Sequence, residues 1–156
     1  RTPMAFYRFR VAAESRPESV WRDVVVGGKR SLAEFQSEIE QSFGMDQDRS
    51  WFFGQNSDYW DSDVVYTRPE FVDQSPGGRD VGGERHDASE TTIGDVVRRL
   101  DLEQSDRICY LFDFDAELRF SATIEEIEVI GCSHKGPRVV DEKGMLEQNG
   151  PGDDGV

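Results

Sequence analysis

Residues 6 to 12, Phe6-Tyr7-Arg8-Phe9-Arg10-Val11-Ala12, alternate with a period of two, Tyr7, Phe9 and Val11 facing one way and Arg8 and Arg10 the other. That alternation predicts a half-buried strand. Pro17, inside the polar run Glu14 to Glu18, ends the ladder, and Val20 to Val26 predicts a second strand closed by Gly27-Gly28. Two strands this near in sequence predict a hairpin. At Ser31 the period changes. Ser31 with Glu34 three residues on forms a capping box, and Leu32, Phe35, Ile39 and Phe43 recur at helical spacing up to Gly44. The apolar stripe predicts a helix lying across the hairpin, with Glu34, Glu38 and Gln41 on its outer side.

Aromatic density then rises, with Trp51, Phe52, Phe53, Tyr59, Trp60 and Tyr66 inside sixteen residues. Ser50 to Gly54 predicts a strand, Gln55 to Asp58 a turn, and Tyr59 to Thr67 another strand. Residues 68 to 90, rich in glycine, proline and charge, predict a long mobile surface loop in which His86 is solvated. Thr91 or Thr92 caps a short helix from Ile93 to Leu100, with Ile93, Val96, Val97 and Leu100 on one face. Asp106 to Phe114 and Leu118 to Ile124 predict two long strands joined by a tight turn. Beyond Ile130 apolar residues are sparse, although Pro137 to Gly144 has the makings of an extended docked arm.

These elements describe an α+β fold: a mixed sheet with one main helix packed on it, β-grasp-like but elaborated, with a second short helix. The expected organisation is a single domain over residues 1–130, including the polar loop at 68–90, followed by an extended or disordered tail over 131–156. No apolar run reaches the roughly 18 residues of a membrane span, and the N-terminus lacks a signal pattern, so a soluble, cytoplasmic protein with no membrane partner is expected.

Charge narrows the choice of partners. The chain has 32 acids and 18 bases, a net charge of −14, with lysine present only at 29, 135 and 143. Residues 1–50 carry eight charges of each sign, so residues 51–156 hold the whole excess. A surface of this sign repels phosphate backbones, which disfavours nucleic acid as a partner. Two explanations of the acidity stand: adaptation to a salt-rich, halophilic cytoplasm, which the even spread of acids favours, or a surface aimed at a basic partner.

Candidate chemistry is sparse. The aromatic residues are first of all sheet core, with Trp51, Trp60 and Tyr110 as candidates for a binding patch and Tyr59 and Trp60 as candidates for partial exposure. Asp113, Asp115 and Glu117 are spaced by two and could converge on a hard cation, although a solvated hairpin tip is the reading the sequence favours. Asp58, Asp61 and Asp63 lack the glycine and distal glutamate of a calcium loop. Cys132 and His134, with Cys109 and His86 as the remaining candidate ligands, lack the paired spacing of a zinc site, and no cysteine is marked as a nucleophile. Asp141-Glu142-Lys143 is a faint nuclease-like set in a solvated tail, and phosphate-loop and dinucleotide motifs are absent, so no cofactor is expected.

Several stretches together resemble the plasmid pRiA4b ORF-3-like family: Phe6 to Val11, Val20-Trp21-Arg22, Ser31 to Phe35 with Ser42-Phe43-Gly44-Met45-Asp46, Trp51 to Gly54, Thr92 to Val96, Asp106 to Phe114 and Pro137 to Asp141. The resemblance implies an α+β fold and a link to mobile elements, but no established activity. The chain departs from the family pattern after Phe114, where a glycine, an acid, a tryptophan and a histidine are replaced by Asp115-Ala116-Glu117-Leu118-Arg119-Phe120. Any site built on those groups is not expected here. The functional expectation is a non-enzymatic protein-interaction module, the alternative being a metal-dependent enzyme or nuclease using the acids near Asp113.

Overall fold

The computed structural model describes residues 4–74, 83–130 and 136–146. Chain order runs β1 (Met4–Ala13), β2 (Trp21–Gly27), α1 (Leu32–Phe43), β3 (Trp51–Gln55), β4 (Val64–Thr67), β5 (Glu84–Asp87), α2 (Ile93–Arg99), β6 (Arg107–Phe112), β7 (Leu118–Ile130) and β8 (Arg138–Lys143). The strands form one sheet in the order β5-β4-β3-β6-β7-β1-β2-β8. Its pairings are antiparallel except for β4 with β5. The fold is therefore α+β, a mixed sheet with two helices. Among the described residues no helix is long and apolar enough to cross a membrane.

Local chemistry explains the helix boundaries. Ser31 Oγ accepts from the Glu34 backbone N–H while the Ser31 N–H donates to Glu34 Oε1, and Gly44 ends α1 in the left-handed region at φ 68°. Thr92 and Asp95 form the same reciprocal box at the start of α2. Leu32, Phe35 and Ile39 are fully buried against alternate residues of the sheet, including Phe9, Val24 and Val26. Ring contacts carry this core from Phe9 to Phe35 (4.9 Å), on to Phe53 (5.9 Å) and to Tyr110 (4.7 Å). Each such side chain contributes about 1.5–3 kcal/mol by leaving water.

A smaller cluster of Phe52, Tyr59, Val65, Cys109, Leu111 and Phe114 lies on the other face of the same strands. Its cover is a 3-10 turn at Tyr59–Asp61, which corrects the expected strand over Tyr59 to Thr67; pairing with β3 begins only in β4. Tyr59 sits at φ 46°, and its hydroxyl bonds Glu14 Oε2 (2.7 Å) and the Phe120 carbonyl (3.0 Å). It is thus buried, not partly exposed. Gly54 makes the close approach possible, since a Cβ there would collide with the Ser62 side chain.

The region from 68 to 90 also departs from expectation. A 3-10 turn at Pro69–Phe71, strand β5 and another 3-10 turn at Ala88–Glu90 occupy parts of it, while residues 75–82 lie outside the described residues. His86 is held on the Tyr66 ring (centroids 5.6 Å apart) and against Glu84 Oε2 (2.7 Å) instead of being freely solvated. At the opposite edge the segment around Val139 docks as β8, paired antiparallel with β2 from Trp21↔Lys143 to Val25↔Arg138.

Candidate functional site

The three aromatic candidates do not form one patch. Tyr110 is fully buried, stacked on Phe53, with its hydroxyl accepting from Gln36 Nε2 (2.9 Å). Trp51 is 5% exposed in the same core, edge-on to Phe53. Trp60 belongs to the other face, packs against Phe52 and Phe114, and donates from Nε1 to Glu117 Oε1 (3.1 Å). Trp51 and Tyr110 are thus core residues, and of the three only Trp60 is partly exposed.

The acids near Asp113 also have local work. Asp113 stands at φ 66°, and its Oδ1 accepts from the backbone N–H groups of Asp115 (3.1 Å) and Ala116 (3.4 Å). Glu117 is taken up by Trp60 and by Arg119 Nη2 (2.9 Å), while Asp115 is exposed. Among the described residues no group of three or more His, Cys, Asp or Glu side chains is placed to hold a metal ion. A metal reading of Asp113, Asp115 and Glu117 gains nothing from this arrangement. Cys109 is buried, and burial raises its thiol pKa, which disfavours the reactive thiolate. Cys132 and His134 lie outside the described residues.

A different constellation stands out on the face of β1 and β2 turned away from both helices. The hairpin register sets Arg10 opposite Asp23 and Arg8 opposite Val25. Asp23 Oδ1 accepts from Arg10 Nε (2.8 Å), and Oδ2 accepts from Arg10 Nη2 (3.0 Å) and Arg8 Nη2 (2.8 Å). The Arg10 guanidinium also stacks 3.7 Å over the Trp21 ring. Asp23 is 1% exposed, whereas the side chains of Arg8 and Arg10 are 35% and 37% exposed. Burial alone would raise the Asp23 carboxyl pKa; the hydrogen bonds and charges of Arg10 and Arg8 outweigh it and hold the pKa below the ordinary value. The result is a flat plate of indole, guanidinium and carboxylate, rigid because each group fixes the next.

The plate carries one net positive charge, with Glu125, Glu126 and Asp141 near enough to act on the arginines. Among the described residues, the plate itself presents an indole, two guanidinium groups and one carboxylate, groups that can offer hydrogen bonds, charge and a stacking face. Sequence reading missed it because Asp23 looks like one more polar strand residue. The available signal was the hairpin register, which sets an acid in mid-strand directly across from Arg10.

Comparison with known proteins supplies the family. The model for the plasmid pRiA4b ORF-3-like protein matches residues 5–153. The chain belongs to the pRiA4b ORF-3-like family. As a member of that family it shares its fold with a solved protein of unknown function from Methanosarcina mazei Go1, with a TM-score of 0.67 at 13% identity, over 90% of this chain and 71% of that one. Nothing among the curated proteins matches the chain. In this member the segment Asp115 to Phe120 begins in the turn closed by the Asp113 carboxylate and continues into β7.

Proposed function

We propose that this pRiA4b ORF-3-like protein is a non-enzymatic interaction module that binds a protein partner on the Trp21–Arg10–Asp23–Arg8 plate. The observation that carries this reading is the buried Asp23 carboxylate on an otherwise solvent-facing part of the sheet. Desolvating a carboxylate is costly, and the two arginines that compensate it here are held together with Trp21 as a partly exposed, preorganised surface. Such residues dominate binding energy at protein interfaces. β8 borders the plate and has β2 as its only partner among the described residues, so a bound segment could also pair with its outer side.

Photo-crosslinking tests the reading. A photoreactive residue at Val25 or Thr123, beside the plate, is expected to give a discrete protein adduct in cells, whereas one at Gln41 on the outer side of α1 is not. Trp21→Ala should reduce the adduct at least tenfold, a hot-spot effect. Equal labelling from Gln41, or an adduct indifferent to Trp21→Ala, would remove the plate from consideration.

The acid excess bears on the milieu in which this binding takes place. With a net charge of −14, adaptation to a salt-rich cytoplasm predicts a melting temperature that rises as potassium chloride is added, because screening relieves repulsion among the carboxylates. A flat or falling melting temperature leaves complementarity to a basic partner as the explanation.

A further inference from the structure

β7 outruns the strand beside it. It is 13 residues long, and β6 pairs with only part of it, from Phe112↔Leu118 to Arg107↔Thr123. One more rung follows: the Ile124 N–H donates to the Asp106 carbonyl (2.8 Å), and the Ile124 carbonyl accepts from the Ser105 N–H (2.8 Å). Beyond that rung, among the described residues, 125–130 have β1 as their only neighbour in the sheet. The core does not call for this extension. Phe120, Ala122 and Ile124 are at most 1% exposed, whereas Glu125, Glu126, Ile127 and Glu128 are all exposed.

Register fixes which backbone groups the extension leaves open. Along an antiparallel ladder successive residues alternate, each turning both of its backbone groups to one neighbour. The Ala5 carbonyl accepts from the Gly28 N–H (2.8 Å) and the Ala13 N–H donates to the Val20 carbonyl (3.0 Å), so the odd-numbered residues of β1 face β2. Met4, Phe6 and Arg8 then face β7, where their partners are Ile130, Glu128 and Glu126. The N–H and C=O groups of Ile127 and Val129 therefore point away from β1, beside the start of β6. An edge of this kind is a template for another strand.

The side chains along the edge define what it accepts. Glu126 and Glu128 lie on the face of Arg8 and Phe6, while Ile127, 39% exposed, lies opposite Tyr7 on the helix side. Glu125 is the extra residue where the register shifts. These three glutamates make no ion pair or side-chain hydrogen bond among the described residues, and the neighbouring Arg8 is held by Asp23 at 2.8 Å. A second copy of this edge would bring like charges together, which disfavours self-pairing. A cationic strand meets the opposite situation.

We propose that the free edge of β7 over residues 125–130 docks an extended basic segment of another protein by strand addition. The guest pairs with the backbone of Ile127 and Val129, places lysine or arginine side chains beside Glu126 and Glu128, and sets an apolar side chain between them beside Ile127. The edge uses neither Trp21 nor Asp23, so it stands or falls separately from the plate.

Fluorescence anisotropy on the full chain at low ionic strength, where attraction between surface charges is least screened, tests the proposal. Three labelled peptides serve as probes: one alternating lysine with valine, one with the same residues gathered into two blocks, and one alternating glutamate with valine. The alternating basic peptide is expected to bind saturably and to slow amide hydrogen exchange at Ile127 and Val129. The block peptide should bind at least tenfold more weakly and the acidic peptide not at all. Glu126→Gln combined with Glu128→Gln should weaken binding about tenfold, whereas Glu34→Gln combined with Glu38→Gln, on the outer side of α1, should change it less than twofold. The proposal is overturned if the alternating peptide fails to bind, if the block peptide binds equally well, if protection appears only elsewhere, or if the Glu126 and Glu128 variant binds as the parent does. Concentration-dependent protection of Ile127 and Val129 without peptide would equally overturn it, by assigning the edge to a second copy.

Discussion

Replacing Arg22 with methionine is expected to destabilise the protein by about 3 kcal/mol and to release β8 from the sheet edge. The Arg22 side chain is 6% exposed and links three parts of the chain. Its Nε donates to the Ser42 carbonyl in the last turn of α1 (3.1 Å), and Nη1 donates to the carbonyls of Trp21 (2.9 Å), Lys143 (3.1 Å) and Gly144 (2.9 Å). The guanidinium also lies 4.3 Å over the Phe43 ring and 3.4 Å from Glu142. Methionine keeps much of the volume but leaves these carbonyls without their donor. For a chain of this size the loss corresponds to a fall of about 6–12 °C in melting temperature. Proteolysis supplies the second readout: cleavage within 138–146 should quicken while the rest of the chain stays resistant. Full protection of that segment, with a melting temperature within about 2 °C of the parent, would show that β8 is held by its ladder alone.

Asp23→Asn is expected to cost about 2 kcal/mol at neutral pH. Removing one member of a buried ion pair typically costs about 3–5 kcal/mol, and the exposure of Arg8 and Arg10 reduces that figure because water screens what the carboxylate no longer neutralises. The effect should depend on pH with a definite sign. The Asp23 pKa is lowered in the folded protein, from an unfolded value of about 3.9. Its stabilisation is therefore fully present above the unfolded value and is lost as pH falls through the folded one. The gap in melting temperature between parent and Asp23→Asn should be wide at pH 7 and should shrink progressively as pH falls below the unfolded value of about 3.9. A gap independent of pH would mean that shape, not charge, makes Asp23 matter.

The hairpin, both capped helices and the β6–β7 pair were legible in the sequence because each rests on a local rule: a period of two, a capping box, a glycine at the helix end. Three features were not. The Tyr59 turn depends on a hydroxyl reaching Glu14 and Phe120, contacts that no local window contains. β5 is the wholly polar run Glu84-Arg85-His86-Asp87, which shows no alternation because a one-sided edge strand paired parallel to β4 needs none. The aromatic run Trp51-Phe52-Phe53 is buried on both faces of the sheet, so periodicity could not separate Trp51, in the helix-side core, from Trp60, beneath the opposite surface. Tyr110 misled for the same reason. The plate and the free edge of β7 are likewise products of pairing between strands, and become visible only once register is known.

The pairing of β1 with β7 also governs how this chain reaches its fold. β1 can zip to β2 at once, but its other edge accepts a strand separated from it by α1, β3 to β6 and α2. Such non-local closure is slow, because the entropy of the intervening loop is lost before the ladder rewards it. Until β7 arrives, the hairpin offers a ready ladder to any other chain. The interval before that closure is when the molecule is most open to mispairing, and conditions that slow β7 lengthen it.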